Sequence, residues 1–174
     1  HLRHQAYLTA GVKMSFFDQR QDEPYDYSFY FDGGLSSYVR YLNSTNKPLQ
    51  EETFYMKREV NEMLIEMSLQ YVDDVREEVY AFANNIANPE GGTHLAGFRT
   101  ALTRTLNTFA RAKEFLKEKD ENFSGDDVRE GCTAVISVKI KNPQFEGQTK
   151  AKLGNPEVKP AVETTFGEDF AVFL

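Results

Sequence analysis

Met63-Leu64-Ile65-Glu66-Met67-Ser68-Leu69-Gln70-Tyr71 is the run that decides the fold. Met63, Ile65, Met67, Leu69 and Tyr71 alternate with Glu62, Glu66, Ser68 and Gln70, and only Leu64 breaks the polar side. A period of two places one set on each face of a strand. The run therefore predicts a strand with one buried face and one wetter face. Residues 53–60 are its expected antiparallel neighbour, and residues 79–86 read as a third strand. Residues 133–140 are strongly β-prone and mostly apolar, which predicts a central strand.

Helices surround this sheet. Thr93 is a plausible N-cap for the longest one, expected to run to about Glu118. At roughly 100° per residue, Leu95, Phe98, Leu102, Leu106 and Phe109 share one narrow stripe. Arg104 and Arg111 point nearly opposite it and Arg99 sits at its edge, so one face packs on the sheet and the back is basic. Residues 156–173 predict a terminal helix interrupted near Gly167. Upstream, residues 2–9 end a helix with Gly11 as C-cap. Residues 12–20 and 25–31 form a hairpin across Gln21-Asp22-Glu23-Pro24. After Gly33-Gly34, the spacing of Leu35, Tyr38, Val39 and Leu42 predicts a short helix ending near Asn43. Residues 125–130 are a short capped turn, and residues 141–152 a long loop shaped by Pro143 and Gly147. The order is strand-rich, then helix, strand, helix: an α+β domain in two layers, with helices on one face of the sheet.

Composition narrows the class. The chain has 174 residues, 40% hydrophobic and 27% charged, which excludes disordered and collagen-like chains. A chain of this size buries roughly 70% of its extended surface, enough for one domain with a piece of a second. No apolar run is long enough to cross a bilayer. The single cysteine, Cys132, allows no internal disulfide and no cysteine zinc cluster, and fits a reducing compartment. Asn43-Ser44-Thr45 and Asn122-Phe123-Ser124 match the glycosylation sequon; without a signal peptide both read as chance. The chain opens His1-Leu2-Arg3, which reads as a piece of a longer protein. Net charge is −7, yet residues 93–119 carry six basic and two acidic side chains. A net negative chain repels nucleic acid, whereas this segment is either a solvated helix face or a local exception.

Chemistry-bearing motifs are few. No Walker-type phosphate loop and no glycine-rich dinucleotide fingerprint is present. His1, His4 and His94 are not spaced as metal ligands, and no serine, histidine and acid set suggests nucleophilic catalysis. His94 lies in the first turn of a helix, where a structural role is the simpler reading. Asp126, Asp127, Arg129 and Glu130 cluster before a strand; they either cap a turn and pair with Arg129 or could hold magnesium. Gln148-Thr149-Lys150 sits in the long loop leaving a buried strand. Lys150 reads as a surface lysine, or as a point charge that reaches an anionic ligand. At roughly 4 Å and an effective dielectric near 20, one such contact supplies about 4 kcal/mol before desolvation is subtracted.

Seven blocks in register resemble the B subunits of the bacterial type II DNA topoisomerases, DNA gyrase and topoisomerase IV. They are Phe31-Asp32-Gly33-Gly34-Leu35 with Tyr38-Val39-Arg40-Tyr41-Leu42-Asn43; Asn84-Asn85-Ile86; Glu90-Gly91-Gly92-Thr93-His94-Leu95-Ala96-Gly97-Phe98-Arg99; Leu102-Thr103-Arg104-Thr105-Leu106-Asn107; Gly125-Asp126-Asp127-Val128-Arg129-Glu130-Gly131; and Pro143-Gln144-Phe145-Glu146-Gly147-Gln148-Thr149-Lys150. The resemblance implies a transducer domain over residues 33–174, with residues 1–32 completing the preceding ATPase domain. It implies the fold of the second domain of ribosomal protein S5, including a left-handed βαβ crossover that runs against the usual rule. It implies that Gln148 and Lys150 contact the terminal phosphate of ATP, and that Arg99, with Arg104 beside it, lines a DNA cavity. The whole protein would use ATP and Mg2+, dimerise on ATP binding, join the gyrase A protein in a heterotetramer with two copies of each, and pass DNA in the cytoplasm. The piece alone would bind no cofactor and hydrolyse nothing. Cys132 stands where the family commonly has an aliphatic residue and should simply pack. The alternatives are the decatenating topoisomerase IV, or a DNA-binding or scaffold module that senses no ATP.

Overall fold

The computed structural model describes residues 2–20 and 25–174. Helix α1 (Leu2–Leu8) ends before Gly11, whose φ of +77° needs a residue without a Cβ penalty. Strands β1 (Met14–Asp18) and β2 (Tyr25–Phe29) pair antiparallel, with Met14 opposite Phe29. The turn expected at residues 21–24 lies outside the described residues. Helix α2 (Gly34–Leu42) follows and ends at Asn43, as its spacing predicts.

A five-stranded sheet forms the centre. It contains β3 (Phe54–Val60), β4 (Met63–Tyr71), β5 (Glu78–Ala83), β6 (Ile86–Ala87) and β7 (Cys132–Lys139), in the order β3-β4-β7-β5-β6. The residue 133–140 run is central, as its apolar composition requires. The β5–β7 pair is parallel and the others are antiparallel. Helices α3 (Thr93–Ala112) and α4 (Gly125–Arg129) lie between β6 and β7. Strands β8 (Phe145–Glu146) and β9 (Lys152–Leu153) pair beyond β7, and α5 (Val158–Phe173) closes the chain. Among the described residues, no helix is long and apolar enough to cross a membrane.

The two-layer expectation with helices on one face is corrected. Helices α3 and α5 cover the face of Ile65, Met67 and Leu69, where Phe98 and Phe166 meet edge to face at 5.1 Å. The opposite face is covered too, by α2 and α1. There Leu35, Tyr38 and Val39 pack with Tyr7, Leu8, Phe82 and Val135. The expected wetter face of β4 is therefore buried, and each polar residue on it has a partner. Tyr55 donates its hydroxyl to Glu66 at 2.9 Å, Ser68 donates to the Phe54 carbonyl at 2.9 Å, and Gln70 accepts from Asn43 at 3.0 Å. Thr133 in turn donates to Asn43 Oδ1 at 2.7 Å. Alternation of polar and apolar residues shows that the faces differ, and buried polar groups remain stable when paired.

Three boundaries also differ. Asn84 and Asn85 both have positive φ, 48° and 64°, so residues 79–86 are a hairpin between β5 and β6 and not one strand. Helix α3 stops at Ala112, six residues before Glu118. Glu114 turns left-handed at φ +61°, and Arg111 holds the reversed chain through the carbonyls of Lys117 and Asp120. Gly92, not Thr93, is the N-cap of α3. Helix α5 runs through Gly167 without interruption, and the missing Cβ makes room for the Arg104 guanidinium. Cys132 packs fully inside the core, where burial pushes its thiol up to about 12.

Candidate functional site

The loop after β7 is a built structure. Asn84 pins its start, donating to the Ile140 carbonyl and accepting from the Ile140 N–H, each at 2.8 Å. Asn155 clamps its base: its Oδ1 accepts from Gln144 N–H at 2.6 Å and its amide donates to the Asn142 carbonyl at 3.1 Å. Between these anchors β8 and β9 form a short lip, with Glu146 opposite Lys152. Gly147, at φ +76°, opens the tip that carries Gln148, Thr149 and Lys150, all exposed. Lys150 itself has φ +55°.

This tip is tied to the N-terminus of α3. Leu153 N–H donates to the Gly91 carbonyl at 2.9 Å, and Glu90 N–H to the Ala151 carbonyl at 3.0 Å. Asn88 donates its side-chain amide to the Lys150 carbonyl at 2.7 Å. Gly92 lies so close to β9 that a Cβ there would stand 2.2 Å from the Leu153 carbonyl oxygen. The Lys150 ammonium lies 5.9 Å from the centre of the Phe145 ring. Among the described residues Glu146 pairs with Lys152, and no carboxylate pairs with Lys150. The tip presents an uncompensated positive charge on a fixed support.

The body of α3 carries the second feature. Arg99, Thr103, Arg104, Asn107 and Arg111, together with Arg129, line an open groove of about 640 Å³. Its arginines are not free charges. Arg99 makes a bidentate pair with Glu77 at 3.0 and 2.9 Å, and Arg129 reaches the same carboxylate at 3.4 Å. Arg104 pairs with Glu163 at 2.6 Å. Arg111 donates to Asn122 Oδ1 at 2.8 Å. The two glutamates lie far away in sequence and carried no signal there. The structure thus brings Gln148 and Lys150 together on one tip, and Arg99 and Arg104 together on one groove. The same helix connects the two.

The remaining candidates have structural roles. His94 is fully buried, and its Nε2 lies 3.1 Å from Asn88 Oδ1. Because the Asn88 amide nitrogen donates to Lys150, its oxygen faces His94, so Nε2 carries the imidazole proton. Nδ1 has no partner. Desolvation lowers the His94 pKa to about 4. A histidine depressed in this way is neutral when folded and takes up a proton on unfolding. Stability should therefore be fully present above the ordinary histidine value near 6.5 and fall as pH drops towards 4. Chemical denaturation across that window should show a steeper loss in the parent than in His94→Gln. Asp127 forms a reciprocal capping box with Ser124, which holds its carboxyl below the usual range, and Asp126 pairs with Arg129. Among the described residues no three histidine, cysteine, aspartate or glutamate side chains converge as a metal site. Sequence reasoning did not single out Asn88.

The class of protein follows from this fold. The 43K ATPase domain of Thermus thermophilus gyrase B, solved in complex with an aminocoumarin, superposes with a TM-score of 0.88 at 36% identity, over 99% of this chain and 46% of that one. The topoisomerase IV ATP-binding domain of Francisella tularensis has the same fold, with a TM-score of 0.81 at 24% identity over 99% of this chain and 46% of that one. The chain thus has the architecture of part of the ATPase region of bacterial type II topoisomerases. A model of the DNA gyrase B family matches residues 34–174. The B subunit of DNA gyrase from Synechocystis is 47% identical over 99% of this chain, and that from Clostridium acetobutylicum is also 47% identical over 99%. The chain belongs to the DNA gyrase B family. It spans 16% and 27% of the length of those two relatives.

Proposed function

We propose that this chain is the transducer region of an ATP-hydrolysing type II DNA topoisomerase, coupling ATP binding and hydrolysis to DNA strand passage and supercoiling. One observation carries the reading. A single helix, α3, anchors the exposed Lys150 tip at its N-terminus and lines an arginine groove along its body. At about 1.5 Å per residue its 20 residues reach roughly 30 Å, long enough to join a nucleotide sensor to a DNA-facing surface.

In this reading residues 33–174 are the transducer and residues 1–32 complete the ATPase domain that precedes it. The parallel β5–β7 pair, joined through α3, is the left-handed crossover of a ribosomal protein S5 domain 2-like fold. ATP and Mg2+ are held by the preceding domain; this chain contributes Gln148 and Lys150 to the terminal phosphate. The unpaired ammonium fits such an anion. ATP supplies a charge that departs with phosphate, and a ligand shifts an equilibrium only by its difference in affinity for the two states. Lys150 provides that difference and stabilises charge on the transferring group. Arg99 and Arg104 face the backbone of the transported DNA without reading bases. The complete protein dimerises on ATP binding and works in the cytoplasm with the gyrase A protein, two of each.

Arg99→Gln in the full-length protein, assayed with its gyrase A partner, tests the DNA arm. DNA-stimulated turnover and supercoiling should fall several-fold, while basal turnover changes less than about twofold, because phosphate contacts set DNA affinity. Equal loss of all three would point to misfolding and overturn the assignment.

A further inference from the structure

We propose that Asn88, held by His94, is a positioning residue that presents Lys150 to the nucleotide in a fixed backbone conformation. The proposal rests on the reading of Lys150 as a terminal-phosphate contact. Lys150 lies at φ +55°, a left-handed state that is unfavourable for a non-glycine residue and persists only where neighbours impose it. The neighbour here is Asn88, whose side-chain amide donates to the Lys150 carbonyl at 2.7 Å. The Lys150 backbone N–H makes a long hydrogen bond, 3.4 Å to the Gly147 carbonyl, so the turn alone holds it loosely.

Asn88 is itself immobilised. It is 3% exposed. Its backbone N–H donates to Ala81 in β5 at 2.8 Å, and its carbonyl accepts from Gly91 at 2.8 Å. Its Oδ1 faces the fully buried His94 in the first turn of α3. The chain of contacts therefore runs from α3 through His94 and Asn88 to the backbone of Lys150. It references a solvent-exposed charge to the sheet and to the helix. A lysine ammonium on four flexible carbons gains from this only through its backbone, whose carbonyl the bond holds. Misplacing a reacting group by about 1 Å can cost on the order of 100-fold in rate.

The test uses the full-length protein with its gyrase A partner and DNA. Asn88→Ala should lower kcat for ATP about 10- to 100-fold with KM changed less than about threefold, because it disturbs placement and not general nucleotide binding. Asn88→Asp keeps the acceptor for His94 but replaces the donor to Lys150 with a charged oxygen that repels its carbonyl; it should show at least the same loss, and it carries the test if the alanine variant does not fold. His94→Leu should reduce kcat in the same way, whereas His94→Gln, whose amide can donate as Nε2–H does, should restore it to within about threefold. The decisive measurement is the double variant Asn88→Ala/Lys150→Ala. It should be no slower than Lys150→Ala alone, since Asn88 acts only through Lys150. A multiplicative loss, or an Asn88→Ala enzyme with parental kcat beside an impaired Lys150→Ala enzyme, overturns the positioning role. An unimpaired Lys150→Ala enzyme would instead reject the underlying nucleotide reading.

Discussion

Replacing Lys150 by alanine in the full-length protein should reduce ATP turnover by about 100- to 1,000-fold, the range lost when one preorganised charge donor to a transition state is removed. The Coulomb gain of about 4 kcal/mol at an effective dielectric near 20, less desolvation, gives the same range. Stability should scarcely move, by less than about 0.5 kcal/mol, because the side chain is exposed and the residue's carbonyl bond to Asn88 survives truncation. Lys150→Arg should fall between the two, since it keeps the charge and changes its shape. Steady-state turnover with and without DNA, paired with a thermal melt, separates the effects. Parental turnover in Lys150→Ala would remove the lysine from the reaction. A large drop in melting temperature would make the loss a folding effect.

Gly92→Ala should be strongly damaging for so small a substitution. Gly92 has φ +129°, where an L side chain is strained, and its added Cβ would overlap the Leu153 backbone at 2.2, 2.5 and 2.8 Å. Backbone cannot swing aside as a side-chain tip can. Strain and overpacking together should cost roughly 3–5 kcal/mol. For a domain of this size that lowers the melting temperature by about 10 °C. The displaced β9 would carry the Lys150 tip with it, so turnover should fall as well. Gly11→Ala is the control: it also has positive φ, but nothing lies within 4 Å of the added Cβ, so only the conformational cost remains. Calorimetric melts of the two variants that matched would show that the close approach of Gly92 to β9 is unimportant.

Local patterns made most of the framework readable. The alternation over residues 63–71, the apolar run at 133–140 and the helical spacing of Phe98 and Leu102 each gave the right element. The covering of β4 on its second face was not readable, because Glu66, Ser68 and Gln70 look solvent-facing until Tyr55, Phe54 and Asn43 are brought beside them. The end of α3 was missed for a related reason. Residues 113–118 have good helix propensity, and the chain turns only because Arg111 and the Leu116 N–H bond to Ala110 favour the reversal. The Asn84-Asn85 turn left a usable sign, two adjacent residues that tolerate positive φ. At the candidate site, the resemblance singled out Gln148, Lys150, Arg99 and Arg104. Their surroundings could not be inferred. Glu77 and Glu163 meet Arg99 and Arg104 only across the fold. Asn88 had no motif at all, since its role lies in a contact 62 residues along the chain.

Cys132 offers a practical handle. Sealed in the sheet with its sulfur held protonated, it should ignore maleimides at neutral pH. A second cysteine placed at an exposed position such as Thr149 would then be the lone reactive label within this region. A fluorophore there could follow the loop in real time through a catalytic cycle, without first engineering the native sulfur away.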